Sequence, residues 1–177
     1  MRNFCKHLTQ SMVWLLLSEI LCLILGVSVA ILHNPVIVRG MGLLFGVTAH
    51  ILLTASCAQK AAAEDAVLYR TEGIRMNAKK PLLLAFCTML PAYLTYLLLR
   101  LNADSVLMLN LFPLMNAPFI QLYRILIDNT EPFSAIPASR QIMMALPPLM
   151  TAASYFIGYQ FKYLPALAKT DAKTPRS

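Results

Sequence analysis

The sequence predicts an all-α, polytopic helical membrane protein with four or five transmembrane helices. Of its 177 residues, 58% are apolar and only 13% are charged, whereas a soluble domain has roughly 25% charged residues. The apolar residues form long continuous runs and do not alternate with polar ones as in a transmembrane barrel. Helices are the other way to satisfy every backbone polar group in lipid.

Five stretches lack Lys, Arg and Asp, and each is long enough to cross a hydrocarbon core, which needs about 20 apolar residues. They cover residues 12–32, 40–58, 81–99, 105–123 and 141–161. The polar remainder is too short for an independent aqueous domain with its own core. We therefore expect residues 1–177 to form a single membrane domain, with a cytoplasmic loop over 59–80 and a flexible tail over 169–177.

The first two stretches are predicted to pack as a close hairpin joined at Asn34-Pro35. Small side chains recur at every fourth position in both, which places them on one ridge of each helix. Small residues let membrane helices approach closely. The predicted packing residues are Ser18, Cys22 and Gly26 in the first stretch and Gly42, Gly46 and Thr54 in the second.

Two ionisable groups, Glu19 and His50, lie inside these stretches at matched depth. At a rise of 1.5 Å per residue, each is about 10–12 Å from the nearer end of its stretch. A charged carboxyl at that depth costs a few kcal/mol unless it is protonated or finds a donor. One interpretation is a proton- or cation-binding pair, in which His50 can change charge near neutral pH. The alternatives are a polar contact that locks the hairpin, or a Glu19 side chain that extends to the nearby membrane surface.

The segment between the second and third stretches is predicted to be partly helical. Residues 61–72 are rich in Ala and contain no helix breaker, so the second helix should continue until Gly73 ends it. Pro81 is suited to the first turn of the third helix.

The basic residues predict the orientation of the chain. Cytoplasmic segments of membrane proteins are enriched in Lys and Arg, and the N-terminus and the 59–80 segment are the basic ones. We therefore expect the N-terminus in the cytoplasm and residues 33–39 outside. A cleaved signal peptide ending at Ser28-Val29-Ala30 is the competing interpretation, which the length of the stretch and the presence of Glu19 disfavour.

The fourth stretch leaves the number of crossings open. It is the least lipid-like, with Asn110, Pro113, Asn116, Pro118 and Gln121. If it crosses, nine of the 15 basic residues lie inside; if it re-enters, the C-terminal tail returns to the cytoplasm and eleven lie inside. The charge distribution favours the re-entrant arrangement.

The second half of the chain is rich in proline, with at least one in each of its three apolar stretches. Proline removes an intrahelical hydrogen bond and leaves a carbonyl without its donor. Such carbonyls, together with Asn110, Asn116 and Gln121, could bind a cation or a polar solute, as broken helices do in transporters. The alternative is that the prolines only kink the helices.

Enzyme motifs are absent from the sequence. It contains no HExxH, GxSxG, phosphate-binding lysine loop or dinucleotide fingerprint. The three His residues are far apart and the four Cys residues form no CxxC pair. We therefore expect no catalytic residue, no metal and no cofactor. The net charge of +7 is explained by membrane topology, so nucleic acid is not an expected partner.

Two functional hypotheses follow. The first is a non-catalytic integral membrane protein that acts as a subunit or packing partner in a membrane complex. The alternative is a small transporter or channel subunit with Glu19 and His50 as an ion- or proton-coupling pair. Besides the lipid bilayer, the expected partner is a second copy or a companion membrane protein, because five helices can hardly enclose a solute path. The compact loops suit a bacterial plasma membrane.

Overall fold

A computed structural model describes the backbone of residues 3–30, 35–73, 79–127 and 132–171, and the side chains of 3–28, 36–73, 79–127 and 132–168. These residues are almost entirely helical and include no strand, which confirms the all-α prediction. The helices are α1 (Phe4–Ala30), α2 (Pro35–Glu72), α3 (Lys79–Leu101), α4 (Val106–Leu114), α5 (Ile120–Leu126), α6 (Ala138–Ala145) and α7 (Pro147–Asp171). The predicted hairpin turn and most of the predicted tail lie outside the described residues.

Four of the described helices are long and apolar enough to cross a membrane: Phe4–Ser28, Val36–Glu72, Lys79–Leu101 and Ala138–Ala168. The last of these combines α6 and α7, which meet at Leu146. This arrangement fits a multi-pass membrane protein. Four of the five predicted stretches each correspond to one long helix. The remaining stretch, residues 105–123, has a different structure.

The ends of α2 and α3 follow the local sequence as predicted. α2 continues to Glu72, and Gly73 follows it with a φ of 68°. The Gly73 N–H donates to the Tyr69 carbonyl at 3.0 Å, a helix end that glycine adopts without a steric penalty. Pro81 lies in the first turn of α3, where no intrahelical donor is missing.

The fourth apolar stretch is broken. α4 ends at Leu114, a short 3-10 helix covers Ala117–Phe119, and α5 follows at an angle of 96° to α4. Pro118 lies in the first turn of the 3-10 helix, where its missing N–H costs nothing. We call residues 106–126 the bent segment. A bend of this size excludes a straight crossing and leaves either a broken span or a re-entrant segment.

The bundle of α1, α2, α3 and α7 has two distinct ends. The Tyr159 hydroxyl of α7 donates to Asp65 of α2, and Asp65 lies 4.0 Å from His7 of α1. The N-terminal part of α1 and the C-terminal half of α7 therefore lie at the same end. At the other end, the bent segment and α6 form a separate core around Phe112, Tyr123 and Met144.

Two glycines of α2, Gly42 and Gly46, pack against the bent segment. A Cβ atom at Gly46 would lie 3.1 Å from the Pro118 carbonyl oxygen, and one at Gly42 would lie 2.9 Å from Gln121 Cγ. α1 also contacts α2 at Gly46, where Cys22 Sγ donates to the Gly46 carbonyl at 3.4 Å. At Gly26, a Cβ would meet no described atom within 4 Å.

Candidate functional site

A cavity of about 200 Å³ lies between the helical bundle and the bent segment. Its apolar lining comes mainly from α1 and α3, and its polar side chains come from four helices and the turn inside the bent segment. The polar lining residues are Glu19, His50, Thr88, Thr95, Asn116 and Thr151. Three of them, Glu19, His50 and Asn116, are binding residues predicted from the sequence.

Glu19 is held against the break in the bent segment. Its Oε2 atom accepts a hydrogen bond of 2.7 Å from the backbone N–H of Ala117, the first residue of the 3-10 helix. An N–H group at the start of a helix has no partner within that helix, so a carboxyl group from another helix can satisfy it. Among the described residues, Ala117 alone donates to this carboxyl. The second carboxyl oxygen is thus available to a ligand in the cavity.

His50 joins three helices and is almost fully buried, with 1% of its surface exposed. Its Nδ1 lies 2.7 Å from the Ser18 hydroxyl of α1 and its Nε2 lies 2.7 Å from the Thr151 hydroxyl of α7. A neutral imidazole has one donor and one acceptor nitrogen, and a hydroxyl can serve either. Both ring nitrogens are therefore satisfied.

The predicted direct contact between Glu19 and His50 is not observed. No hydrogen bond or ion pair joins these two described side chains; each has the partners given above, and both line the same cavity. The Ser18–His50 bond does connect α1 to α2, as the hairpin-locking interpretation requires. Ser18 makes this bond because it lies on the face of α1 that meets α2. Glu19 does not lie on that face.

Asn116 stabilises the break itself. The Asn116 backbone N–H donates to the Pro113 carbonyl at 3.3 Å, and its side-chain amide donates to the Phe112 carbonyl at 3.0 Å. The side chain thereby supplies the donor that a continuous helix would have provided through the backbone. The same amide also donates to the Thr95 hydroxyl at 2.9 Å, which ties the bent segment to α3.

The two other predicted binding residues do not line the cavity. Asn110 is exposed on α4. Gln121 is buried on α5 against Gly42. Of the polar residues that the sequence placed in the fourth stretch, the structure brings only Asn116 to Glu19 and His50.

A second polar cluster lies at the opposite end of the bundle and was not predicted from the sequence. Lys80 Nζ lies 2.8 and 2.7 Å from the two carboxyl oxygens of Asp65, and the Tyr159 hydroxyl donates to Oδ2 at 2.6 Å. Asp65 is fully buried and Lys80 is 3% exposed. The sequence does carry a signal for it. Small residues continue along α2 at helical spacing from the end of the apolar stretch onward, at Ala58, Ala61, Ala62 and Ala66, and all four are buried.

Comparison with known protein families, with curated proteins and with solved structures finds no match to this chain. Within the described residues, no group of three His, Cys, Asp or Glu side chains is arranged to hold a metal ion. The cavity beside Glu19 and the Asp65–Lys80 cluster at the other end of the bundle are therefore the two candidate functional sites.

Proposed function

We propose that this chain is an integral membrane subunit that binds and moves a small monovalent cation, including the proton, through the cavity beside Glu19. The proposal is carried by the position of the Glu19 carboxyl group. This group lies midway along an apolar helix and lines a cavity. A backbone N–H at the break of the bent segment holds it in place. Ionisable residues inside membrane spans commonly mark ion pathways, and broken helices commonly form the binding sites of transporters.

The charge of the site favours a single positive charge as the ligand. One ionised carboxyl group in apolar surroundings is costly, and a bound cation or proton would offset that cost. The Thr88, Thr95 and Thr151 hydroxyls add oxygen ligands around the same cavity. Oxygen ligands suit small hard cations.

A topology with four crossings and a re-entrant bent segment supports this function. An even number of crossings requires the two ends of the chain to lie on the same side of the membrane. Consistent with this, the N-terminal part of α1 and the C-terminal half of α7 lie at one end of the bundle. The clustering of basic residues supports placing that end in the cytoplasm. Both chain ends would then lie in the cytoplasm of a bacterial plasma membrane, and the bent segment would enter from the outer side.

The small-residue ridge of α2 gives less support to the packing-partner hypothesis than the sequence suggested. Gly42 and Gly46 already contact Gln121 and Pro118 of the same chain, so these glycines are not open to a second protein. A partner is still part of the proposal, because four crossings and a re-entrant segment can hardly enclose a path on their own. We take this partner to be a second copy of the chain, so the purified protein alone should form the complete path.

Carbodiimide labelling tests the cation site. Dicyclohexylcarbodiimide adds covalently to protonated carboxyl groups in apolar surroundings, and peptide mass spectrometry locates the adduct. In the purified full-length protein we expect labelling at Glu19 and its loss in Glu19→Gln. Lithium, sodium or potassium chloride should slow the labelling when compared with choline chloride at equal ionic strength.

The control is Glu72→Gln, which changes an exposed carboxyl group at the end of α2 and should leave the labelling of Glu19 unchanged. The proposal fails if Glu19 labels at the same rate in all four salts and at every pH, because a site that binds neither a metal cation nor a proton would behave in this way.

A further inference from the structure

Three helices of the bundle each carry a row of buried polar side chains. The rows are His7, Ser11 and Ser18 on α1; His50, Thr54 and Asp65 on α2; and Thr151, Tyr155 and Tyr159 on α7. The members of each row are separated by whole helical turns, so each row lies on one face. His50 and Asp65 are about 22 Å apart along α2 at 1.5 Å per residue. The rows connect the cavity to the second polar cluster.

His7 lies between a partly exposed carboxyl group and a buried one. Its Nε2 is 3.2 Å from Glu64 Oε2, and its Nδ1 is 4.0 Å from Asp65 Oδ2. The Glu64 side chain is 28% exposed, whereas His7 and Asp65 are fully buried. An imidazole can accept a proton on one nitrogen and release one from the other. His7 is therefore placed to pass protons between the surface and the interior.

The titratable groups around His7 come from every helix of the bundle. Lys6 lies 2.7 Å from Glu64, and Lys80 and Tyr159 bind Asp65. His7 Nδ1 itself has no hydrogen-bond partner among the described residues. Ser11, one turn further along α1, is the next buried polar side chain toward the cavity, so the step from His7 to Ser11 is the first transfer that a proton must make inside the bundle.

The middle layer contains two further buried polar atoms without a partner among the described residues, Thr54 Oγ1 and Tyr155 Oη. Both side chains line a small void together with Ser11, Cys57 and Thr88, and in this conformation the void is too small for a water molecule. A buried hydroxyl without a partner has lost its hydration and gained no hydrogen bond in return, which destabilises the fold. Valine and phenylalanine would fill the same space without that cost, so packing alone does not account for the two hydroxyls.

We propose that these rows form a proton pathway that joins Glu64 and His7 at the polar end to His50 and Glu19 at the cavity, with the Thr54–Tyr155 layer as its constriction. The inference rests on the proposed function, because Glu19 is the inner terminus of the pathway. Each group accepts one proton and releases another. The net change is one proton taken from water and one added to the Glu19 carboxylate, without electron transfer. Rotation of Thr54 or Tyr155 opens the constriction.

Proton flux into proteoliposomes tests the pathway. The full-length protein is reconstituted into phosphatidylethanolamine and phosphatidylglycerol vesicles that contain a pH-sensitive dye, and a potassium gradient with valinomycin drives protons inward. The wild type should acidify the lumen faster than protein-free vesicles. Each of His7→Gln, Thr54→Val and Tyr155→Phe should lower the flux about tenfold or more, which corresponds to about 1.4 kcal/mol on the barrier.

The matched control is Thr9→Val, which removes an exposed hydroxyl from α1 and should leave the flux unchanged. Thr54→Val removes a hydroxyl without a described partner, and Tyr155→Phe removes one whose polar neighbour is the Ser11 hydroxyl. Neither hydroxyl forms a hydrogen bond of standard geometry, so both variants should unfold in detergent at the wild-type temperature or above it. A lower unfolding temperature would show that the hydroxyls are structural and would overturn the pathway.

The pathway and the cation site can fail separately. If His7→Gln and Tyr155→Phe conduct protons like the wild type while cations still protect Glu19 from carbodiimide, the pathway is wrong and the cation site stands. If Glu19 labels at the same rate in every salt and at every pH, the cation site is wrong as well. Wild-type vesicles that acidify no faster than empty ones would also overturn the pathway.

Discussion

Glu19 and Asp65 are both carboxyl groups on apolar helices of one bundle, but their surroundings are opposite. Asp65 is fully buried and has two strong donors, the Lys80 ammonium and the Tyr159 hydroxyl. Glu19 has one donor among the described residues, a backbone N–H, and faces a cavity. The donors around Asp65 fix a charged carboxyl group in place. The cavity beside Glu19 leaves room for a bound cation that can exchange.

The two carboxyl groups show why an ionisable residue on an apolar helix cannot be interpreted without its partners. A carboxyl group whose lone pairs are all occupied contributes to the fold and has little capacity left for a ligand. A carboxyl group with an unused oxygen can bind one. Removing one partner at a time from Asp65, His50 and Glu64 should show how strongly the fold depends on each pairing.

Lys80→Met should have the largest effect on stability. It leaves the Asp65 charge buried without its cation, and breaking a buried ion pair in this way costs about 3–5 kcal/mol. Thermal unfolding in detergent should show a clearly lower midpoint than the wild type. The double variant Asp65→Leu with Lys80→Met should recover most of the loss, and a single variant as stable as the wild type would contradict the assigned role of the ion pair.

Thr151→Val should have an intermediate effect. It removes the partner of His50 Nε2, and leaving a buried polar group unpaired costs about 1–3 kcal/mol. The same unfolding measurement should place the midpoint between those of Lys80→Met and the wild type. Ser28→Ala is the control, since the Ser28 hydroxyl bonds only the carbonyl one turn earlier on an exposed face of α1. Equal midpoints for the two variants would mean that His50 does not need this bond.

Lys6→Ala should have the smallest effect. The Lys6 side chain is 54% exposed and pairs with Glu64 at the surface, and exposed ion pairs contribute about 0–1 kcal/mol. The unfolding midpoint should stay near that of the wild type and should become less sensitive to salt. A loss as large as that of Lys80→Met would show that the Lys6–Glu64 pair is part of the buried cluster.

The sequence predicted the fold class and most helix positions because long apolar runs and helix breakers act locally. The end of α2 at Gly73 and the break in the fourth stretch both follow from single residues whose backbone preferences are strong. The start of α1 at Phe4, eight residues before the first apolar stretch, was not predicted, because Lys6 and His7 are polar. Their side chains instead pair with Glu64 on α2, a contact that no local pattern reveals.

The candidate site was only partly predictable for the same reason. Glu19 and His50 were identifiable because ionisable groups are rare in apolar stretches. The Ala117 N–H that binds Glu19 was not, since it depends on where the bent segment folds back against α1. Asp65 and Lys80 lie outside the apolar stretches, so their pairing becomes visible only when the helices are assembled.

The length of α2 has a further consequence. Its 38 residues extend about 57 Å, nearly twice the thickness of a hydrocarbon core of about 30 Å. Even a strongly tilted α2 would emerge from the bilayer by several turns. The Asp65–Lys80 pair would then lie at the depth of the lipid headgroups, where the composition of that leaflet could set the local supply of protons.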